Sequence, residues 1–258
     1  MSAGGTARAR GTVPLTPDAS PSWLRPLVDN VSQIPEALRR RLPPDVLEML
    51  SSAKGVAEER EAAVLVLFSG PESGPADAGV PDEADLLLTV RASSLRHHAG
   101  QAAFPGGASD PTDDGPVATA LREAQEETGI DVNRLHPLVV MERTFIAPSQ
   151  FEVVPVLAYS PDPGPVAVVN EAETAIVSRV PVRAFINPDN RLMVYRGDLG
   201  RRWAGPAFLL NQMLVWGFTG QVISAVLDVA GWAKPWDTSD LRELDDAMTL
   251  VGEHGGAR

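Results

Sequence analysis

No cysteine occurs among the 258 residues. Disulfides, thiolate metal sites and a cysteine nucleophile are thereby excluded, and a reducing compartment suits the chain. Positive charge is scarce as well: 22 lysines and arginines stand against 34 aspartates and glutamates, a net charge of −12. Such a chain lacks the basic face that nucleic-acid phosphates require, so nucleic acid is not an expected partner. An anionic small molecule remains an acceptable ligand if a metal ion and a few local arginines compensate its charge. Residues 1–23 hold two arginines but no apolar core of the secretory-leader kind, which makes the cytoplasm the expected location. A long uncharged stretch is found once, over 203–227, and it is interrupted by Asn211, Gln212, Thr219 and Gln221 and by Gly217 and Gly220. This reads as a buried helix over 206–230 rather than a membrane span, with an apolar face open to a second copy in a homodimer.

What is present is a mixture of short apolar runs and helical spacings. Residues 1–20 are rich in Gly, Ala, Pro and Thr and read as a disordered arm; 21–60 carry helical spacing, with Asp45 a candidate N-cap. Strands are expected at 62–68, 84–92, 138–145, 151–159 and 174–182, each a β-branched or apolar run bounded by turn residues. Residues 116–129 predict a helix, with Pro116 in its first turn and Gly129 as its stop. From 236 on the chain is polar and reads as a tail. Strands and helices interleave without a βαβ repeat, so the fold class is α/β, a mixed sheet between helices.

The helix at 116–129 carries the chemistry. At about 100° per residue, Glu126 and Glu127 each fall within roughly 60° of Glu123. Like charges so spaced repel by about 0.2–0.5 kcal/mol per pair even on a solvated face. Most acidic clusters are nothing more than such a face. Here, however, Gly106 and Gly107 precede the helix, supplying backbone that a ligand can approach closely, and Arg122 is spaced to hold a neighbouring carboxylate in place. Oxygen ligands select hard cations such as Mg²⁺ or Mn²⁺, which share their coordination with phosphates.

The stretch from Gly107 to Ile130, ending "REAQEETGI", resembles the Nudix box, G-x5-E-x7-R-E-U-x-E-E-x-G-U, where U is bulky and aliphatic. The first half departs from it: Asp113 stands where the box has Glu, and eight residues instead of seven separate it from Arg122, leaving the parts of Asp113 and Asp114 open. Upstream, "LLTVRASSLRHHAGQAAFPGG" (87–107) is similar to the motif that marks the coenzyme A pyrophosphatase branch, matching at Leu87, Leu88, Thr89, Arg91, Ala92, Arg96, Gly100 and Phe104 to Gly107.

The resemblance, which does not extend to residues 1–55, implies an α/β/α sandwich of the Nudix type in a hydrolase domain over 61–235, to which the residues themselves add a helical N-terminal extension and a long C-terminal helix. It also implies an enzyme that cleaves a diphosphate linked to another moiety. Glu123, Glu126 and Glu127, with the Gly107 carbonyl, are its metal ligands; Glu126, Glu127 and Arg122 belong to its catalytic set. Arg91 and Arg96 suit bidentate phosphate contact, His98 a further hydrogen bond, and Gly106 and Gly107 close backbone approach. Histidines 97 and 98 are equally at home as ordinary loop residues. The general base is one of the box glutamates or Glu173, with Glu171 its rival. Coenzyme A is the implied substrate; ADP-ribose, a nucleoside triphosphate, or a silent metabolite-binding role are the alternatives.

Overall fold

The computed structural model describes residues 13–41, 48, 60–75, 79–92, 100–146, 149–198, 201–211 and 213–254. Its centre is a mixed sheet built on two long strands, β1 (Arg60–Ser69) and β7 (Phe151–Ser160), which run parallel and in register from Arg60↔Phe151 to Ser69↔Ser160. Strand β2 (Asp85–Arg91) pairs antiparallel with β1 only at Phe68↔Leu86 and Ser69↔Asp85, then diverges. Into that gap fit two short strands, β3 (Ala102–Ala103) on β2 and β4 (Gly106–Ala108) on β1. On the outer edge of β2 lies β8 (Thr174–Pro181); β5 (His136–Val140) and β6 (Thr144–Ile146) share the outer edge of β7.

Alternation along β1 explains the layers. Ala63, Leu65 and Leu67 point to one face, where Val117, Ala120, Leu121 and Ala124 of the helix Pro116–Thr128 cover them together with Val154, Val156 and Ala158 of β7. Val66 and Phe68 point to the other face, toward helices α1 (Arg25–Asp29) and α2 (Ile34–Arg39) and toward the helix Gly217–Val229. A sheet buried on both faces yields runs that are apolar throughout, as these strands are. The sandwich expected from the sequence is therefore the one observed.

Some expectations hold and several change. Helix α1 lies in the region expected to be helical and packs on the sheet: Trp23, just before it, is fully buried among Phe68, Tyr159 and Trp232, and its Nε1–H donates to the Pro71 carbonyl at 2.8 Å. Within the expected arm, Thr16 N–H donates to Pro137 O at 2.7 Å. Asp45 and most of 42–59 lie outside the described residues. The strand expected over 138–145 is two, because the register against β7 shifts by one residue between Val140↔Val156 and Thr144↔Val153, opposite Pro155, which has no N–H to offer.

The largest correction concerns 206–230. Within it Gly217–Val229 is helical, whereas residues 206–210 belong to β10 (Arg201–Leu210) and 213–215 form β11 (Met213–Val215). With β9 (Arg191–Asp198) and β12 (Leu241–Glu243) they form a second, four-stranded sheet. Apolar runs this short have no period to separate helix from strand, and pairing of β10 with β9 and of β11 with β10 decides it. No helix among the described residues is long and apolar enough to cross a membrane. The polar tail is likewise structured: β12 joins the second sheet, and the helix Leu244–His254 buries Leu244 and Ala247 against Leu192, Val194, Ala207 and Leu214.

Candidate active site

The helix Pro116–Thr128 starts after Gly115, at φ +82°, and stops at Gly129, at φ +67°, whose N–H closes on Gln125 O at 2.9 Å. Its apolar stripe fixes the rotation about its axis, which turns Glu123 and Glu127 toward β4 and leaves Glu126 exposed. The short strand β4 then brings two glycines against the carboxylates. Gly106 N–H donates to Glu127 Oε2 at 3.3 Å. Gly107 lies so close to the Glu123 carboxylate that a Cβ there would overlap it, whereas a Cβ on Gly106 would overlap the backbone of Ala63 and Val64.

The two glycines therefore fail differently when substituted. Gly106→Ala meets backbone and should lower the melting temperature by several degrees. Gly107→Ala meets the end of a flexible side chain, so its melting temperature should stay within about 2 °C while kcat falls about tenfold or more as the Glu123 carboxylate is displaced. Thermal denaturation and steady-state assays of the two variants side by side check this contrast.

Arg122 organises the rest. Its Nε and Nη2 donate to the two oxygens of Asp113 at 3.0 and 2.9 Å, its Nη1 to Glu123 at 2.8 Å and Glu126 at 3.2 Å, and Nη2 also to Ala108 O at 3.1 Å. Asp113 in turn accepts from Asp110 N–H and Thr119 Oγ1, each at 2.9 Å, and hydrogen bonds from Arg122 above all hold its carboxyl down at about 2. This answers what the irregular first half of the box left open: the shorter side chain, on a loop one residue longer, still reaches the arginine. Arg122, grouped with the catalytic residues in the sequence, has its guanidinium committed to protein groups.

Burial pushes the Glu127 carboxyl up to about 7, against the opposing pull of Gly106 N–H and Arg91 and with the help of Glu123 and Glu173. Burial also raises Glu123, and Arg122 partly offsets it. The same field identifies neighbours: Arg91, at the end of β2, and Glu173, just before β8, both act on Glu127. Glu173 is fixed there because Ala92 N–H donates to its carbonyl at 2.8 Å. Glu171 is exposed two residues earlier in the same turn. Asp114, on the loop beside Asp113, takes no part in the Arg122 network. Arg96, His97 and His98 lie outside the described residues.

Glu152 is a carboxylate that sequence reading missed. It is 6% exposed on β7, beside Glu61 of β1, and Arg143 Nη1 bridges the two at 2.9 and 3.2 Å. The available signal was a charged residue in step with Val154 and Val156, at a position whose alternation demands burial.

A divalent cation fits this donor set in its chemistry. The carboxylates are hard oxygen ligands, and two of them are held in a buried setting that disfavours their charge until a cation compensates it. Among the described residues no three acidic or histidine side chains already converge at ligand spacing.

The NUDIX domain family matches residues 55–196. The chain is 37% identical over 173 residues to NudL of Cronobacter sakazakii (strain ATCC BAA-894), described as an uncharacterized Nudix hydrolase, covering 64% of this chain and 80% of that one. It is 35% identical over 168 residues to the NudL of Escherichia coli O7:K1 (strain IAI39 / ExPEC), covering 64% and 79%. Among solved structures, a NUDIX hydrolase from Alicyclobacillus acidocaldarius is 22% identical with a TM-score of 0.39, over 51% of this chain and 82% of that one.

Proposed function

Because the chain belongs to the Nudix family, and so is a diphosphate hydrolase working on a nucleoside diphosphate-linked substrate with divalent metal, we propose that its substrate is coenzyme A or a derivative of it. The products are then adenosine 3′,5′-bisphosphate and (acyl-)4′-phosphopantetheine. The observation that carries the substrate is the stretch 87–107, whose pattern resembles the coenzyme A pyrophosphatase motif and whose Arg91 lies in the field of Glu127.

In this reading Glu123, Glu126, Glu127 and the Gly107 carbonyl hold Mg²⁺ or Mn²⁺, which neutralises the diphosphate and makes water more acidic. Arg91 orients the anionic oxygens, and Arg96 takes the separate 3′-phosphate, with His98 adding a hydrogen bond. Arg122 keeps Glu123 against Gly107. Glu173 accepts the proton of the attacking water; the new P–O bond forms as the anhydride P–O bond breaks, and the leaving phosphate takes the electron pair. Support for Glu173 over Glu171 comes from its field at Glu127 and the backbone bond that fixes it.

The test is a panel of coenzyme A, its 3′-dephospho form, ADP-ribose and a deoxynucleoside triphosphate, each with Mg²⁺ and with Mn²⁺. Coenzyme A should show the highest kcat/KM, and Arg96→Ala should raise KM for it more than for the dephospho form. Faster turnover of ADP-ribose or the triphosphate would reassign the substrate within the family; ligand binding without turnover of any of them would favour a sensor.

A further inference from the structure

Residues 161–173 join β7 to β8 and cross the end of the glutamate helix Pro116–Thr128 on the way. A helix leaves its last four carbonyls without partners inside the helix. The crossing segment supplies two of the missing donors: Ala167 N–H donates to Thr128 O at 3.0 Å, and Val169 N–H to Glu127 O at 3.4 Å. Val169 also lies over Gly129, its Cγ2 3.3 Å from where a Cβ on that glycine would stand. At its start the segment is pinned by the ion pair of Asp162 with Arg134, at 2.6 Å. Between these points Val166 packs on the apolar layer that joins the helix to the sheet.

Beyond Val169 the chain turns at once, and Asn170 closes the turn. Its carbonyl accepts from Glu173 N–H at 3.1 Å and from Thr174 N–H at 2.9 Å, and its side-chain Oδ1 accepts from Ala172 N–H at 3.0 Å. On the far side Thr174 is buried and pairs with Arg91 of β2, while Glu173 O accepts from Ala92 N–H at 2.8 Å. Glu127, Glu173 and Arg91 are therefore joined by one short backbone circuit, through Val169 and Asn170 on one side and Ala92 on the other. The effect of Glu173 and Arg91 on the Glu127 carboxyl agrees with that closeness. The turn residues Asn170, Glu171, Ala172 and Glu173 are all exposed, so hydrogen bonds and not core packing set its shape. Asparagine suits such a place because its side chain bonds the backbone two residues on.

We propose that Asn170 is a positioning residue: by closing this turn it holds the Glu173 carboxylate opposite the metal-binding glutamates, where it takes the proton of the attacking water. The inference rests on the reading of Glu173 as the proton acceptor and not on which diphosphate is cleaved. A proton acceptor works only within hydrogen-bond reach of the water, about 2.6–3.2 Å, and a misplacement of about 1 Å can cost on the order of 100-fold in rate. The segment fixes both ends of the turn to the site, at Glu127 O and at Ala92 N–H, and leaves its middle to the Asn170 side chain. Alanine there removes the bond to Ala172 N–H and frees residues 171 and 172 to sample other conformations. Aspartate keeps an acceptor oxygen in the same place. The backbone bonds and the buried Thr174 remain in either variant, so the fold does not depend on the exchange.

The experiment is a double-mutant cycle in the full chain. Asn170→Ala, Asn170→Asp, Glu173→Gln and the pair Asn170→Ala/Glu173→Gln are assayed on the substrate of the panel above with the highest kcat/KM, beside thermal denaturation. Asn170→Ala should lower kcat about tenfold with KM within about twofold, and the melting temperature of so exposed a site should fall by less than about 4 °C. Asn170→Asp should bring kcat back to within about threefold of wild type. Glu173→Gln should lose about 100-fold in kcat. Adding Asn170→Ala to it should cost less than about twofold more, because a turn that acts through Glu173 then has nothing left to position. Wild-type kcat in Asn170→Ala, the full tenfold loss repeated in the double variant, or no recovery with Asn170→Asp overturns the positioning role. Wild-type kcat in Glu173→Gln overturns the proton-acceptor reading and the positioning role with it, so the two failures are read from different variants.

Discussion

Replacing Glu127 with Gln should cut kcat by on the order of 10³-fold and at the same time make the metal-free protein more stable above neutral pH. Both effects follow from one buried carboxylate. Glu127 is 9% exposed and its carboxyl is raised to about 7, chiefly by burial, from the 4.5 of a free glutamate. A raised acid favours the folded state when protonated. Its contribution is therefore fully present below about 4.5, is lost progressively as pH rises toward about 7, and is absent beyond. The loss across that window is on the order of 3 kcal/mol. Glutamine keeps the acceptor for Gly106 N–H and has no charge to desolvate, so the variant should lack this pH dependence. Urea unfolding of wild type and variant at pH 5 and pH 8, in chelator, measures it: the wild type alone should weaken. Divalent metal should restore wild-type stability at pH 8, its apparent affinity falling as pH drops below 7 because protons compete for the same oxygens. A Glu127→Gln variant with full activity would end the assignment of this carboxylate to the metal.

The second large effect is expected at Arg122. Truncation to Ala removes five hydrogen bonds to Asp113, Glu123, Glu126 and Ala108 O in one step. The Asp113 carboxylate, 7% exposed, is left without its counter-charge, which should cost about 2–4 kcal/mol. Lysine, a single point of charge, cannot reach carboxylates on two sides of the guanidinium plane, so Arg122→Lys should recover less than half of that. Activity should fall by on the order of 10–100-fold in both, mostly in kcat, because Glu123 loses the contact that holds it beside Gly107. The acid limb should respond as well. Asp113 is held down at about 2, so its stabilisation is present above the ordinary aspartate range and is lost as pH falls toward 2. Arg122→Ala should therefore begin acid unfolding at a higher pH than wild type. Asp113→Glu is the sharper test of the irregular box: it restores the residue of the general pattern, yet the longer side chain must displace the Asp110 and Thr119 contacts. It should lose about 1 kcal/mol or more. Thermal and acid denaturation of these variants, with steady-state kinetics, decide the matter.

Much of this protein is determined locally, and there the sequence sufficed. The helix Pro116–Thr128 announces itself by Pro116 at its start, Gly129 at its stop and an apolar stripe between them, and the glutamates take their rotation from that stripe. The strands Arg60–Ser69 and Phe151–Ser160 are legible as apolar runs because both of their faces are covered. Tertiary structure alone decided the rest. Residues 206–208 are strand because they pair back onto β9, and 213–215 because they pair onto β10, cross-strand contacts that no local period encodes. Residues 236–254 are tied down by parallel pairing of Leu241–Glu243 with β9 and by two buried positions in a mostly polar segment. Glu173, in the turn before β8, comes into the field of Glu127 only once β8 pairs with β2. Asp113 meets Arg122, and Ala167 and Val169 meet the end of the glutamate helix, only once the chain has closed. Caps and stripes act over one helical turn and can be read along the chain. Pairing, burial of a lone polar group and the field between distant carboxylates depend on what the fold sets beside them.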